Sequence, residues 1–130
     1  MKSLQQLLVM SLICVIFSSA IAKSKQIVIF VSFSMADAAL QDYYHEAKKL
    51  GAKLVMRGLR NNSFKDTQVK MQELRISVDI DPTLFEQYQV TAVPTIIWVN
   101  GQGNAKKITG NLTLSSSLEI MEKDNTHAEN

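Results

Sequence analysis

Redox, hydrolytic and metal chemistry each need particular side chains, and this chain is short of them. Its only cysteine is Cys14, which lies inside an apolar N-terminal run. Thiol–disulfide exchange requires a thiolate, so residues 15–130 hold no group that can attack or form a disulfide. A serine at a helix start is no substitute, because its hydroxyl stays protonated near neutral pH without an adjacent base. His45 and His127 are too far apart in sequence to read as a metal pair or as part of a triad. Asp79 and Asp81 alternate around Ile80, a spacing that can serve acid–base work or hold a cation. Asp81 is followed by Pro82, however, which is the order of a helix N-cap and its first helical residue. No catalytic residue, metal or cofactor is therefore expected.

Three stretches suit recognition instead. Ser32-Phe33-Ser34-Met35 follows a β-branched run and precedes a helix, whose N-terminal N–H groups attract acceptors. Arg57 directly follows apolar Met56 at a strand end, where arginine fixes a loop through carboxylate or carbonyl contacts or reaches a partner. Val93-Pro94-Thr95 precedes the apolar run Ile96-Ile97-Trp98-Val99. Pro94 cannot donate to a ladder, so it belongs at the start of that strand. An X–Pro bond is also the place where a cis peptide is accessible. Local sequence leaves two readings of Pro94: a rigid cis corner on a functional surface, or the plain start of a core strand. The candidate partner-binding residues are Phe33, Ser34, Met35, Arg57, Val93 and Pro94. The structural alternative is that Ser34 only caps a helix and Phe33 only packs.

The elements that must position these residues follow from periodicity. Gln26–Ser32 reads as a buried strand. Ser34 with Asp37 resembles a capping box for a helix from about Ala36 to Leu50. In that helix Ala36, Leu40, Tyr43, Ala47 and Leu50 form one stripe, and Gly51 supplies the turn beyond its end. Ala52–Arg57 is a second strand, and Ser63 caps a helix with Phe64, Thr67, Met71 and Leu74 on one face. Ile76–Ile80 suggests a short strand, and Asp81-Pro82 opens a short helix with Leu84, Phe85 and Tyr88 as its apolar contacts. Asn100-Gly101 marks a tight hairpin turn between the Pro94 strand and a returning strand, Ala105–Thr109. A last helix starts near Thr113 and carries Leu114, Leu118 and Met121. The order βαβα-ββα implies an α/β fold with a parallel first pair and an antiparallel last pair. Such a mixed central sheet flanked by helices on both faces is the thioredoxin-like arrangement.

The ends read differently from this domain. Lys2, the apolar run from Leu4 to Phe17 and the small residues Ala20 and Ala22 have the layout of a secretory signal peptide over residues 1–22. An uncleaved anchor is the alternative, since Leu4–Ala22 nearly reaches spanning length. The domain is then expected over residues 23–121, with a polar, disordered tail at 122–130. A net charge of +2 with no basic stripe gives no argument for nucleic acid.

Four ordered blocks also resemble the TrbC family of F-type conjugative transfer systems. They are Phe30–Asp37, Leu54–Leu59, Val78–Phe85 and Val90–Pro94. The resemblance implies a periplasmic pilus-assembly component of a bacterial type IV secretion apparatus, with a thioredoxin-like fold that lacks redox chemistry. It implies association with a TraW-like conjugation protein. It places Val93-Pro94 as the cis-proline loop and Ser32-Phe33-Ser34-Met35 where thioredoxin-like proteins carry Cys-x-x-Cys. The residue before a cis proline in such proteins can pair with an extended peptide backbone. Two other functions use the same fold: a disulfide isomerase or reductase, which needs a cysteine, and a periplasmic peptide chaperone, which does not.

Overall fold

The computed structural model describes residues 25–126. The expected signal peptide, His127 and the end of the tail lie outside the described residues.

Five strands form one sheet in the order β3-β2-β1-β4-β5. β1 (Gln26–Phe30), β2 (Lys53–Met56) and β3 (Asp79–Ile80) are parallel; β4 (Thr95–Val99) and β5 (Ala105–Thr109) run antiparallel on the other side of β1. Because strand side chains alternate, β1 feeds two separate cores. Ile29 and Val31 join Leu54, Met56, Ile96 and Trp98 on one face. Val28 and Phe30 join Val55 and Ile97 on the other.

The first face is covered by α1 (Asp37–Leu50), α2 (Phe64–Leu74) and α4 (Leu114–Thr126). α1 buries Leu40, Tyr43 and Ala47 at the spacing the sequence shows, and Gly51 ends it with φ +66°, as a left-handed terminator should. The second face is covered by α3 (Pro82–Gln87), which Asp81 caps by accepting from the Leu84 N–H. α3 buries Phe85 edge-on against Phe30, with ring centroids 4.8 Å apart. That contact adds about 0.5–1.5 kcal/mol beyond the area it hides.

Several local expectations shift. Ala36 and Leu50 do not join the α1 stripe: Ala36 is the N-cap, and Leu50 is 48% exposed where the chain turns at Gly51. Phe64 is 67% exposed because it opens α2 and precedes the buried phase set by Thr67 and Leu74. Only Asp79–Ile80 of the expected Ile76–Ile80 strand pairs with β2, although Ile76 and Val78 are buried. The β4–β5 loop is wider than an Asn-Gly turn. Asn100 Oδ1 accepts from the N–H groups of Gln102 and Asn104, and the positive φ falls on Gly103. The tail expected to be disordered from Glu122 continues α4 to Thr126.

Candidate functional site

Register places the candidate loops together. Phe30 pairs with Val55 on β2 and with Thr95 on β4. The chain therefore leaves β1 at Val31, leaves β2 at Arg57 and enters β4 through Pro94 at the same end of the sheet. In an open α/β sheet, the carboxyl ends of the parallel strands are where ligands gather.

The Val93–Pro94 peptide is cis, and Pro94 is buried. Its surroundings are closely bonded. The Gly110 N–H donates to the Pro94 carbonyl at 3.0 Å, and Thr95 Oγ1 donates to the Ala92 carbonyl at 2.7 Å. Thr95 Oγ1 also lies 2.9 Å from Thr109 Oγ1 across the β4–β5 pair. Val93 packs on the second core.

The loop before α1 is self-contained. The Met35 N–H donates to the Ser32 carbonyl at 3.0 Å, closing a turn over Ser32–Met35. Ser34 Oγ donates to Ser32 Oγ at 2.9 Å, and the Ser34 N–H reaches the same oxygen at 3.2 Å. Ser34 therefore does not cap α1. The turn leaves it two residues ahead of the N-cap Ala36, which makes no side-chain cap. Asp37 binds Lys70 of α2 instead, at 2.9 Å. Phe33 and Met35 pack partly on the first core.

Arg57 holds the end of β2 to the loop before Pro94. One guanidinium nitrogen donates to the Val90 carbonyl at 3.2 Å, and the group lies 5.2 Å from the centre of the Phe85 ring. This is the carbonyl contact expected of an arginine at a strand end. Sequence alone points to Arg57. The structure adds Leu59 and Arg60, which line a small cleft of about 150 Å³ with Phe33 and Arg57. The signal was present as arginines three apart around Gly58 with no acid between them.

Elsewhere, the candidate groups are separate. Asp79 pairs with Lys53 at 3.4 Å while Asp81 caps α3, so the two carboxylates do different work. His45 borders a groove of about 450 Å³ on α1 with Asp42, Glu46 and Lys49. Beside it, Tyr43 is 5% exposed and its hydroxyl donates to the Leu112 carbonyl. Burial, then the nearby Glu46 carboxylate, raises the Tyr43 phenol above its usual range. Among the described residues, no cluster of His, Cys, Asp or Glu is placed to hold a metal ion, and no helix is long and apolar enough to cross a membrane.

A parallel-antiparallel sheet of this order, with a cis proline at the mouth of β4, defines a thioredoxin-like domain. Solved structures agree on the fold. The exposed lipoprotein thioredoxin of Streptococcus pneumoniae superposes with TM-score 0.64 at 22% identity, over 78% of this chain and 86% of that one. StoA of Bacillus subtilis superposes with TM-score 0.53 at 20% identity, over 77% and 84%. Within that fold the chain belongs to the TrbC family, the type-F conjugative transfer system pilin assembly proteins, which residues 29–121 match. The periplasmic protein TrbC of Escherichia coli strain K12 is 36% identical over 95 residues. The alignment takes in 69% of this chain and 44% of that relative's length, so the chain corresponds to less than half of it.

Proposed function

We propose that this chain is a non-catalytic periplasmic module of an F-type conjugative type IV secretion system, needed to assemble the pilus. The observation that carries the reading is the family match over residues 29–121. The loop at the position of the redox motif supports it, since it reads Ser32-Phe33-Ser34-Met35 and has no thiol. A hydroxyl there does not exchange with disulfides, and the Ser34 hydroxyl donates to Ser32 Oγ. The module acts by holding partners, with a TraW-like conjugation protein as the first. The periplasmic location rests on the relative named above and on the signal-like leader.

Deletion in a conjugative host tests the reading when pilus formation, DNA transfer and secretion are scored separately. Loss of pili and transfer, restored by the full chain, is expected; unchanged pili would overturn it. Recovery of the TraW-like protein with the tagged chain from the periplasm is the expected companion result. Turnover of insulin disulfides by the purified chain would favour the enzyme reading instead.

A further inference from the structure

The α1 groove carries little that is uncommitted. Tyr43 donates to Leu112, Glu46 accepts from the Ser115 N–H, and its remaining charges are of both signs. The cleft between Ser32–Phe33 and Met56–Arg60 is different. Its volume of about 150 Å³ falls below the roughly 300–1,000 Å³ of small-molecule sites, which suits a side chain rather than a metabolite. Phe33, Met56 and Leu59 give it apolar walls, and its charged members, Arg57 and Arg60, are both cations. No carboxylate lines it.

The two arginines are positioned without being neutralised. Arg57 is held by a carbonyl and a ring, neither of which removes its charge. Arg60 is held by its backbone: its N–H donates to Thr67 Oγ1 at 2.9 Å, and its carbonyl accepts from the Ser63 N–H at 2.9 Å. Neither guanidinium forms an ion pair among the described residues. The acids of the adjoining segments, Asp66 and Asp81, do not line the cleft. Asp66 accepts from Asn61 Nδ2 and Asp81 from the Leu84 N–H. A cleft of mixed polarity that offers apolar side chains, two cations and no carboxylate is complementary to an acid beside an apolar group.

We propose that this cleft docks a partner polypeptide segment carrying an Asp or Glu next to an apolar side chain. The apolar side chain enters between Phe33 and Leu59, and the carboxylate meets Arg60 and Arg57. The proposal rests on the reading of the chain as an assembly module and adds the chemistry of what it holds.

The test uses the full chain and short overlapping synthetic peptides that tile the periplasmic proteins of the same transfer apparatus, read by fluorescence polarisation. The peptides that bind are expected to carry an acid beside an apolar residue and to weaken as salt is raised. Arg60→Glu should weaken them about tenfold or more, as loss of a charge-assisted contact does. Arg60→Lys should recover only part, since lysine lacks the planar fork. Arg60→Gln, with an unchanged melting temperature, covers any disturbance of the loop by an added negative charge. If no peptide binds, or binding ignores every change at Arg60, the proposal is overturned. A deletion that leaves pili intact removes the assembly reading itself; a panel indifferent to Arg60 removes only the cleft.

Discussion

On the β4 side of β1, the chain from Tyr88 to Pro94 is tied down almost carbonyl by carbonyl. Tyr88 and Gln89 accept from Lys107 Nζ, Val90 from Arg57, Ala92 from Thr95 Oγ1 and Pro94 from the Gly110 N–H. On the β2 side, Arg57–Arg60 has its backbone fixed but keeps two cations without an ion pair among the described residues. The two loops leave neighbouring sides of the same strand, yet one is scaffold and the other is chemically open. The cis-proline rim holds its shape through internal bonds, and the cleft proposed above lies across β1 from it.

The largest effect should come from the floor of the tied side. Phe85 is 4% exposed, meets Phe30 edge-on and lies beneath the Arg57 guanidinium. Phe85→Ala should cost about 3–5 kcal/mol in urea unfolding, the range for a buried aromatic replaced by a methyl group. A cost under about 1 kcal/mol, far from a cavity of that kind, would mean that the second core does not anchor this loop.

Arg57 and Arg60 divide the comparison between them. Arg57→Ala loses a charged hydrogen bond and a cation–ring contact, and should cost about 1–2 kcal/mol, given its exposure. Arg60→Ala removes an exposed side chain with no ion pair among the described residues and should change stability by no more than about 0.5 kcal/mol. Equal costs in thermal or chemical melts would dissolve the distinction between a tied and an open side.

How much of this was legible in sequence depends on the range of the forces involved. Leu40, Tyr43 and Ala47, the Asp81-Pro82 cap, Gly51 and the Ala105–Thr109 strand are set by local periodicity and dihedral preference, and they appear where the pattern places them. Ser34 failed as a cap because the Ser32–Met35 turn engages its hydroxyl with Ser32 Oγ and leaves Ala36 as the N-cap, a choice that composition does not show. Phe64 failed as a core residue because it is the first residue of α2, and helical phase does not say how far toward the end of a helix burial extends. The carbonyl partner of Arg57 lies 33 residues away, so sequence could suggest its type and not its identity. Arg60 was visible as the second arginine around Gly58, but that it lines one cleft with Phe33 depends on two loops 27 residues apart meeting at the sheet end.

A further anchor ties α1 to the segment before α4, through the Tyr43 hydroxyl and the Leu112 carbonyl. Tyr43→Phe leaves the Leu112 carbonyl without its donor and should cost about 1 kcal/mol. The same contact sets an alkaline limit. Burial and then Glu46 raise the folded-state phenol above its unfolded value, so the protonated form is favoured in the native chain. Its contribution is complete below the unfolded phenol pKa and is lost as pH rises through the raised folded value. Urea midpoints measured across that alkaline window should fall for the parent chain and less steeply for Tyr43→Phe. Parallel slopes would mean that the Tyr43 phenol has the same affinity for its proton folded and unfolded.

The smallest effect is the most discriminating for the loop in the redox-motif position. Ser63 and Ser34 both precede helices, but only Ser63 accepts from a helical N–H, that of Asp66 at 3.1 Å. Ser63→Ala should therefore cost about 1 kcal/mol, as loss of an N-cap does. Ser34→Ala removes an exposed hydroxyl bonded only to Ser32 Oγ, and should move stability by about 0.5 kcal/mol or less. Measured in the same urea series, the pair separates a serine that stabilises a helix from one that shapes a surface turn. A Ser34→Ala cost matching that of Ser63→Ala would return Ser34 to the role of a cap. If stability is unchanged while pilus assembly falls in the host, the hydroxyl is placed where partners meet the chain. If neither changes, the open side of the site narrows to the Phe33–Arg60 cleft.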